Sequence, residues 1–208
     1  MITGHIGIAN AASAASRMPP RNGVYAALVA AAFAPDVADV LYALAGICSP
    51  YGLYSHTIHA AILEAALIGG AAWLATGSPR LTAAFVTVIL LHVPADYFTG
   101  HKLIIPGGDV VGLRLYWWPM RDFLLETPLA VAGWLLLRRS GRGPAWGRGI
   151  AVLVTMFVLQ SGFDIVAELT TRSMKPNACT RSKAEARTVW TARAEGTTLR
   201  VAPPISAP

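Results

Sequence analysis

Five long apolar blocks alternate with short polar breaks along this chain. Gly23 to Cys48 is apolar apart from Asp36 and Asp39, and Thr57 to Thr76 is interrupted only by His59 and Glu64. Leu81 to Ala95, Phe123 to Leu137 and Ile150 to Leu169 follow. A helix needs about 20 apolar residues to cross a bilayer, with a range of about 17 to 25. Thr57 to Thr76 and Ile150 to Leu169 meet that length, Gly23 to Cys48 is longer, and the two shorter ones, Leu81 to Ala95 and Phe123 to Leu137, need flanking residues. Strand edges have no partner in lipid, so each block is expected to be a helix.

A sixth segment precedes these. Gly4 to Ser16, "GHIGIANAASAAS", is short and built from small residues. It suits close helix approach, either packed inside a bundle or re-entrant. No basic stretch precedes it, so it is not expected to be a secretory signal. The pattern therefore predicts an all-α, polytopic membrane bundle of about five to six helices over residues 1–169. Residues 170–208 form a basic polar tail, expected to be disordered, with a small hairpin around Glu195 and Gly196 as an option.

Composition strengthens this reading. Hydrophobic residues make up 54% of the 208 and charged residues 13%, against roughly 25% charged in soluble domains. The net charge of +6 does not signal nucleic acid. Seven of seventeen Lys/Arg lie in the tail and most others flank apolar runs. If six helices cross, one set of connections carries seven Lys/Arg: Arg17, Arg21, Arg80, Arg138, Arg139, Arg142 and Arg148. The opposite set carries three, Lys102, Arg114 and Arg121. The positive-inside rule assigns the first set to the cytoplasm and the second to the exoplasmic side. Cys48 and Cys179 have no CxxC partner and suggest no disulfide framework or cysteine metal site.

Ionisable residues at membrane depth are costly and are functional hypotheses by default. His5 opens the first segment. Asp36 and Asp39 stand three apart in "APDVAD", on one helix face, and His92 and Asp96 share a face in "HVPAD". His56 begins the third segment in "YSHT". In a six-helix topology all six lie at the same end of their helices. Imidazoles and carboxylates together suit zinc, manganese or iron. Six donors exceed one tetrahedral ion and suit a pair about 3.5–4 Å apart. The structural alternatives are a polar terminal residue for His5, a helix cap for Asp36 and Asp39, and an internal pair for His92 and Asp96. His59 and His101 are expected to be a packed and a loop histidine.

"GHIGIANAAS", "APDVAD", "YSHT" and "LLHVPADYFTG", in that order, resemble the successive motifs of the bacterial membrane-bound metal-dependent hydrolase family. The resemblance covers roughly residues 1–108. It implies an integral protein of the bacterial inner membrane, with a metal site like that of zinc-dependent phospholipase C-type proteins. Carried over, the metal ligands would be His5, Asp36, Asp39, His56, His92 and Asp96, holding one or two divalent ions, with zinc first and manganese second. One position departs: where the family often has His-Arg, this chain has Tyr51 and Gly52, so an arginine able to hold a phosphate is missing there.

The function expected on this basis is hydrolysis of a phosphoester or ester, with a membrane lipid as substrate. Asp39 is the candidate proton acceptor. Arg114 and Arg121, flanking an aromatic belt of Tyr116, Trp117 and Trp118, are candidate substrate-phosphate ligands. The alternatives are a divalent-cation binder or transporter, which usually shows internal repeats not found here, and a structural protein without turnover. No GxSxG, HExxH or nucleotide-binding fingerprint is present. The pattern gives no oligomeric state.

Overall fold

The computed structural model describes residues 2–17, 22–47, 49–113, 115 and 119–173. These residues belong to one unit over Met1–Ser173; residues 170–173 of the expected tail are helical, and the rest of it, with its hairpin, lies outside the described residues. Seven α-helices form this unit: α1 Ile2–Ala15, α2 Asn22–Ala32, α3 Ala34–Leu44, α4 Ile58–Thr76, α5 Pro79–Thr99, α6 Pro119–Ser140 and α7 Ile150–Ser173. A two-stranded antiparallel ribbon, β1 Lys102–Leu103 and β2 Val110–Val111, follows α5, with Lys102 opposite Val111.

The six expected segments are found, with one division. Gly23 to Cys48 is not one helix: α2 and α3 meet at a 60° bend. The cause is Pro35, in the first turn of α3. Proline donates no N–H, and its ring collides with the carbonyl four residues earlier, so a continuous helix breaks just before it. Elsewhere the boundaries follow local chemistry. Thr57 caps α4 by accepting from the Ala60 amide, and Ser78 caps α5 by accepting from Leu81. Gly77 ends α4 at φ 59°, a left-handed conformation that glycine adopts without steric cost.

Among the described residues two helices, α4 and α5, are long and apolar enough to cross a membrane, and the bent pair α2–α3 is a third if it counts as one span. Their outer faces carry large apolar side chains in the open. Leu63 and Leu67 on α4 are exposed, and Leu74 is 87% exposed. A soluble protein rarely shows so much contiguous apolar surface.

The core lies between α1, α2, α4 and α5, where Leu28, Leu81, Val88 and Ile89 are fully buried beside Ala9, Ala31, Ala32 and Ala65. Fourteen residues make α1 about 21 Å long, short of a hydrocarbon core of about 30 Å. It packs inside the bundle against α6, α5, α2 and α7. Its glycines permit this. A Cβ on Gly133 of α6 would collide with the Gly7 carbonyl, and one on Gly7 would lie 2.5 Å from the Leu129 carbonyl oxygen.

The buried start of α1 is satisfied from other helices. The Gly4 amide and Thr3 hydroxyl each donate to Glu126 of α6 at 3.0 Å, and the Thr3 amide donates to Gln160 of α7 at 3.2 Å. Gln160 in turn donates to Asp164 at 2.8 Å. A helix start carries orphan N–H groups and partial positive charge, so a buried carboxylate there is stabilising. These contacts fix the position of His5, one residue further along.

Candidate metal centre

Four separate parts of the chain supply the site. His5 comes from α1 and Asp36 from the first turn of α3. His56 stands in the turn before α4. His92 and Asp96, one turn apart, share the buried face of α5. His5, His56 and His92 are fully buried and Asp96 nearly so, whereas the Asp36 side chain is 41% exposed. Asp36 thus stands at the mouth of the site.

Asp36, His56, His92 and Asp96 each offer one atom to a cluster in which all four lie within 4.8 Å of one another. The Nε2 atoms of His56 and His92 are 3.2 Å apart. His56 Nε2 is 3.1 Å from Asp96 Oδ2 and 3.4 Å from Asp36 Oδ1. His92 Nε2 is 3.7 Å and 3.8 Å from the same two oxygens. Bonds of about 2.0–2.1 Å to one tetrahedral ion would separate neighbouring donors by about 3.3 Å. The observed spacings bracket that length.

The hydrogen bonds assign both rings. His92 Nδ1 lies 2.7 Å from the carbonyl of Ala32, which only accepts, so Nδ1 carries the proton. That carbonyl is available because α2 ends there. The Ser55 hydroxyl donates to Asp39 at 2.5 Å, so the His56 Nδ1–H donates to Ser55 Oγ at 2.7 Å. In the neutral rings both Nε2 lone pairs then face inward, toward each other and two carboxylates. An uncompensated arrangement of this kind repels itself in a buried place, and a cation relieves it. Burial disfavours the imidazolium of His56, yet Asp36 and Asp96 outweigh this and raise its pKa above the ordinary histidine value.

His5 lies beyond the four. Its Nε2 is 3.3 Å from Asp96 Oδ1 and 3.8 Å from Asp36 Oδ2, and neither ring nitrogen has an aligned hydrogen bond among the described residues. The carboxylate oxygens therefore divide. Asp36 Oδ1 and Asp96 Oδ2 face His56 and His92; Asp36 Oδ2 and Asp96 Oδ1 face His5.

Asp39 lies outside the four-donor cluster. It faces the far side of the His56 ring, with Oδ2 3.4 Å from Nδ1. Arg114, with Tyr116, Trp117 and Trp118, falls outside the described residues, and Arg121 is exposed on the first turn of α6. His59 and His101 are not members of the cluster; His101 packs edge-on against Tyr51, their ring centroids 5.5 Å apart. At the departure noted in the sequence, Gly52 has φ 71°, and a Cβ there would lie 2.7 Å from His56 Cβ. Its carbonyl also accepts the His56 amide at 2.8 Å. Glycine at this place seats His56.

Three contributors are not singled out by motif spacing. Ser55 links Asp39 to His56, and the Tyr97 hydroxyl bridges the carbonyls of His56 and Leu103 at 3.0 and 3.3 Å. Lys102 is the third, with Nζ 3.6 Å from Asp96 Oδ2. A serine directly before a candidate ligand histidine is a legible signal; the other two depend on the fold of the ribbon.

Comparison of the chain with protein-family models, with curated proteins and with solved structures gives no match.

Proposed function

We propose that this protein is a membrane-embedded hydrolase of the bacterial membrane-bound metal-dependent type, acting on a phosphoester or ester, with a membrane lipid as the favoured substrate. The observation that carries the reading is the convergence of two histidine Nε2 atoms on two carboxylates. Zinc fits such a nitrogen and oxygen set, with manganese second. Asp36, His56, His92 and Asp96 would hold one ion, and His5, beside Asp36 and Asp96, would help to hold a second.

Divalent ions held there would supply a Lewis acid and activate water for attack. The remaining work belongs to the chain. Ala32 and the Ser55–Asp39 pair hold the two rings with their proton on Nδ1. Orienting groups of this kind raise ligand basicity, so Asp39 suits that role better than proton transfer to water. Asp36, at the mouth, stands where substrate enters. In hydrolysis the water oxygen bonds to the phosphorus or carbonyl carbon, the ester C–O or P–O bond breaks, and the leaving alcohol takes a proton from the water.

The lipid assignment rests on α4 and α5 with their exposed leucines, since a site at the end of apolar helices meets headgroups. The excess of Lys/Arg on one set of connections supports an exoplasmic site. The test is purified protein, loaded with zinc or manganese, incubated with phosphomonoester, phosphodiester and carboxyl-ester lipids. Product that disappears with chelator and in His56→Ala supports the reading. Metal-loaded protein that hydrolyses none of them contradicts it and leaves cation binding or transport.

A further inference from the structure

Beside the four donors stands a cation belonging to the chain. Lys102 opens β1, and its Nζ lies 3.6 Å from Asp96 Oδ2 and 3.8 Å from Asp39 Oδ2, with 17% of the side chain exposed. The ribbon that carries it is tied down on several sides. The Ile58 amide donates to the Ile104 carbonyl at 2.9 Å, tying the ribbon to the start of α4. The Tyr97 hydroxyl joins the Leu103 carbonyl to that of His56. Gly112 closes the ribbon at φ 128°, where any Cβ would collide with the Gly100 carbonyl. Lys102 is therefore delivered to the site by a built element.

A counter-ion role alone does not account for Lys102. Asp39 already accepts from Ser55 and faces His56 Nδ1. Asp96 is itself a donor to the cation site. Once a divalent ion occupies that cluster, a mostly buried ammonium beside a shared carboxylate sits against like charge, which weakens both in a low-dielectric place. An anion with several oxygens resolves the conflict by touching the ion with one oxygen and the ammonium with another. With two divalent ions bound, Asp36, Asp39, Asp96 and Lys102 leave net positive charge, which a phosphomonoester dianion neutralises.

We propose that Lys102 binds the phosphate group of a phosphomonoester against the metal centre. This rests on the hydrolase reading above. In the reaction the water oxygen bonds to phosphorus and the P–O bond to the alcohol breaks. The alcohol takes the proton the water gives up, leaving inorganic phosphate. The group can arrive on a soluble ester or on a lipid such as phosphatidic acid.

The test compares zinc-loaded wild type, Lys102→Gln and Lys102→Arg. Metal content is read by elemental analysis and inorganic phosphate binding by calorimetry. Hydrolysis is followed with para-nitrophenyl phosphate in detergent and with phosphatidic acid in vesicles. Loss of a charged hydrogen bond should weaken phosphate binding in Lys102→Gln by roughly tenfold or more, with metal content undiminished and binding largely restored in Lys102→Arg. Phosphate binding unchanged in metal-loaded Lys102→Gln reduces Lys102 to a counter-ion and overturns the proposal while the metal centre stands. Metal lost from Lys102→Gln makes the residue part of the scaffold and also overturns it. Wild type without metal removes the hydrolase reading and this proposal with it. Turnover confined to one substrate arm identifies the source of the phosphate.

Discussion

At the residue scale, the proposed metal binding turns on which ring nitrogen of each histidine carries the proton. His92 is set by one backbone carbonyl and His56 by a serine and an aspartate. Removing such an orienting partner typically costs about 10–100-fold in metal affinity. Asp39→Asn and Ser55→Ala should each retain the metal at saturation but lose affinity in that range, measured by chelator competition. If Asp39 instead serves only as a proton acceptor, Asp39→Asn will bind metal as tightly as wild type. Asp36, His56, His92 and Asp96, which the structure brings together, are legible in the sequence because ionisable groups are costly in apolar runs unless they meet a partner. The place of Asp39 is not. Two carboxylates three apart share a helix face, yet the first turn of α3 directs Asp36 to the Nε2 side of His56 and Asp39 to its Nδ1 side.

At the element scale, the hydrophobic blocks predict the number and order of the helical segments, since long apolar runs leave little else for the backbone to do. The break at Phe33 is written in Pro35, one residue before the first aspartate. It matters for function because it frees the Ala32 carbonyl and turns Asp36 over the site. Glu126 is a legible signal of another kind: an acid within the run Phe123 to Leu137, buried because it caps α1 from a neighbouring helix. The fit of α1 against α6 is not legible, since glycine in an apolar helix does not say which neighbour it admits. Gly133→Ala forces those two backbones apart. Overpacking of this kind costs about 1–3 kcal/mol, so the unfolding midpoint should fall. Because His5 rides on α1, bound metal should fall with it. An unchanged midpoint and full metal content would show that α1 is free to shift.

At the scale of the whole molecule, a polar centre is enclosed by helices whose outer faces are apolar. The composition foretells the apolar surface, and the order of the motifs foretells that distant segments meet. Neither foretells the ribbon after α5, whose two short strands carry no periodic pattern and are held by single hydrogen bonds from Tyr97 and Ile58. Convergence of three chain segments on one cluster also means that a bound cation would tie α3, the turn before α4 and α5 together. That these residues hold metal is tested most directly by elemental analysis of detergent-purified wild type beside His92→Ala, Asp36→Ala and His5→Ala. The expected result is about two equivalents of zinc or manganese in wild type, a loss of both in the first two variants, and about one equivalent in His5→Ala. Well-folded wild type that holds no metal, even after reconstitution with zinc and manganese, would contradict it.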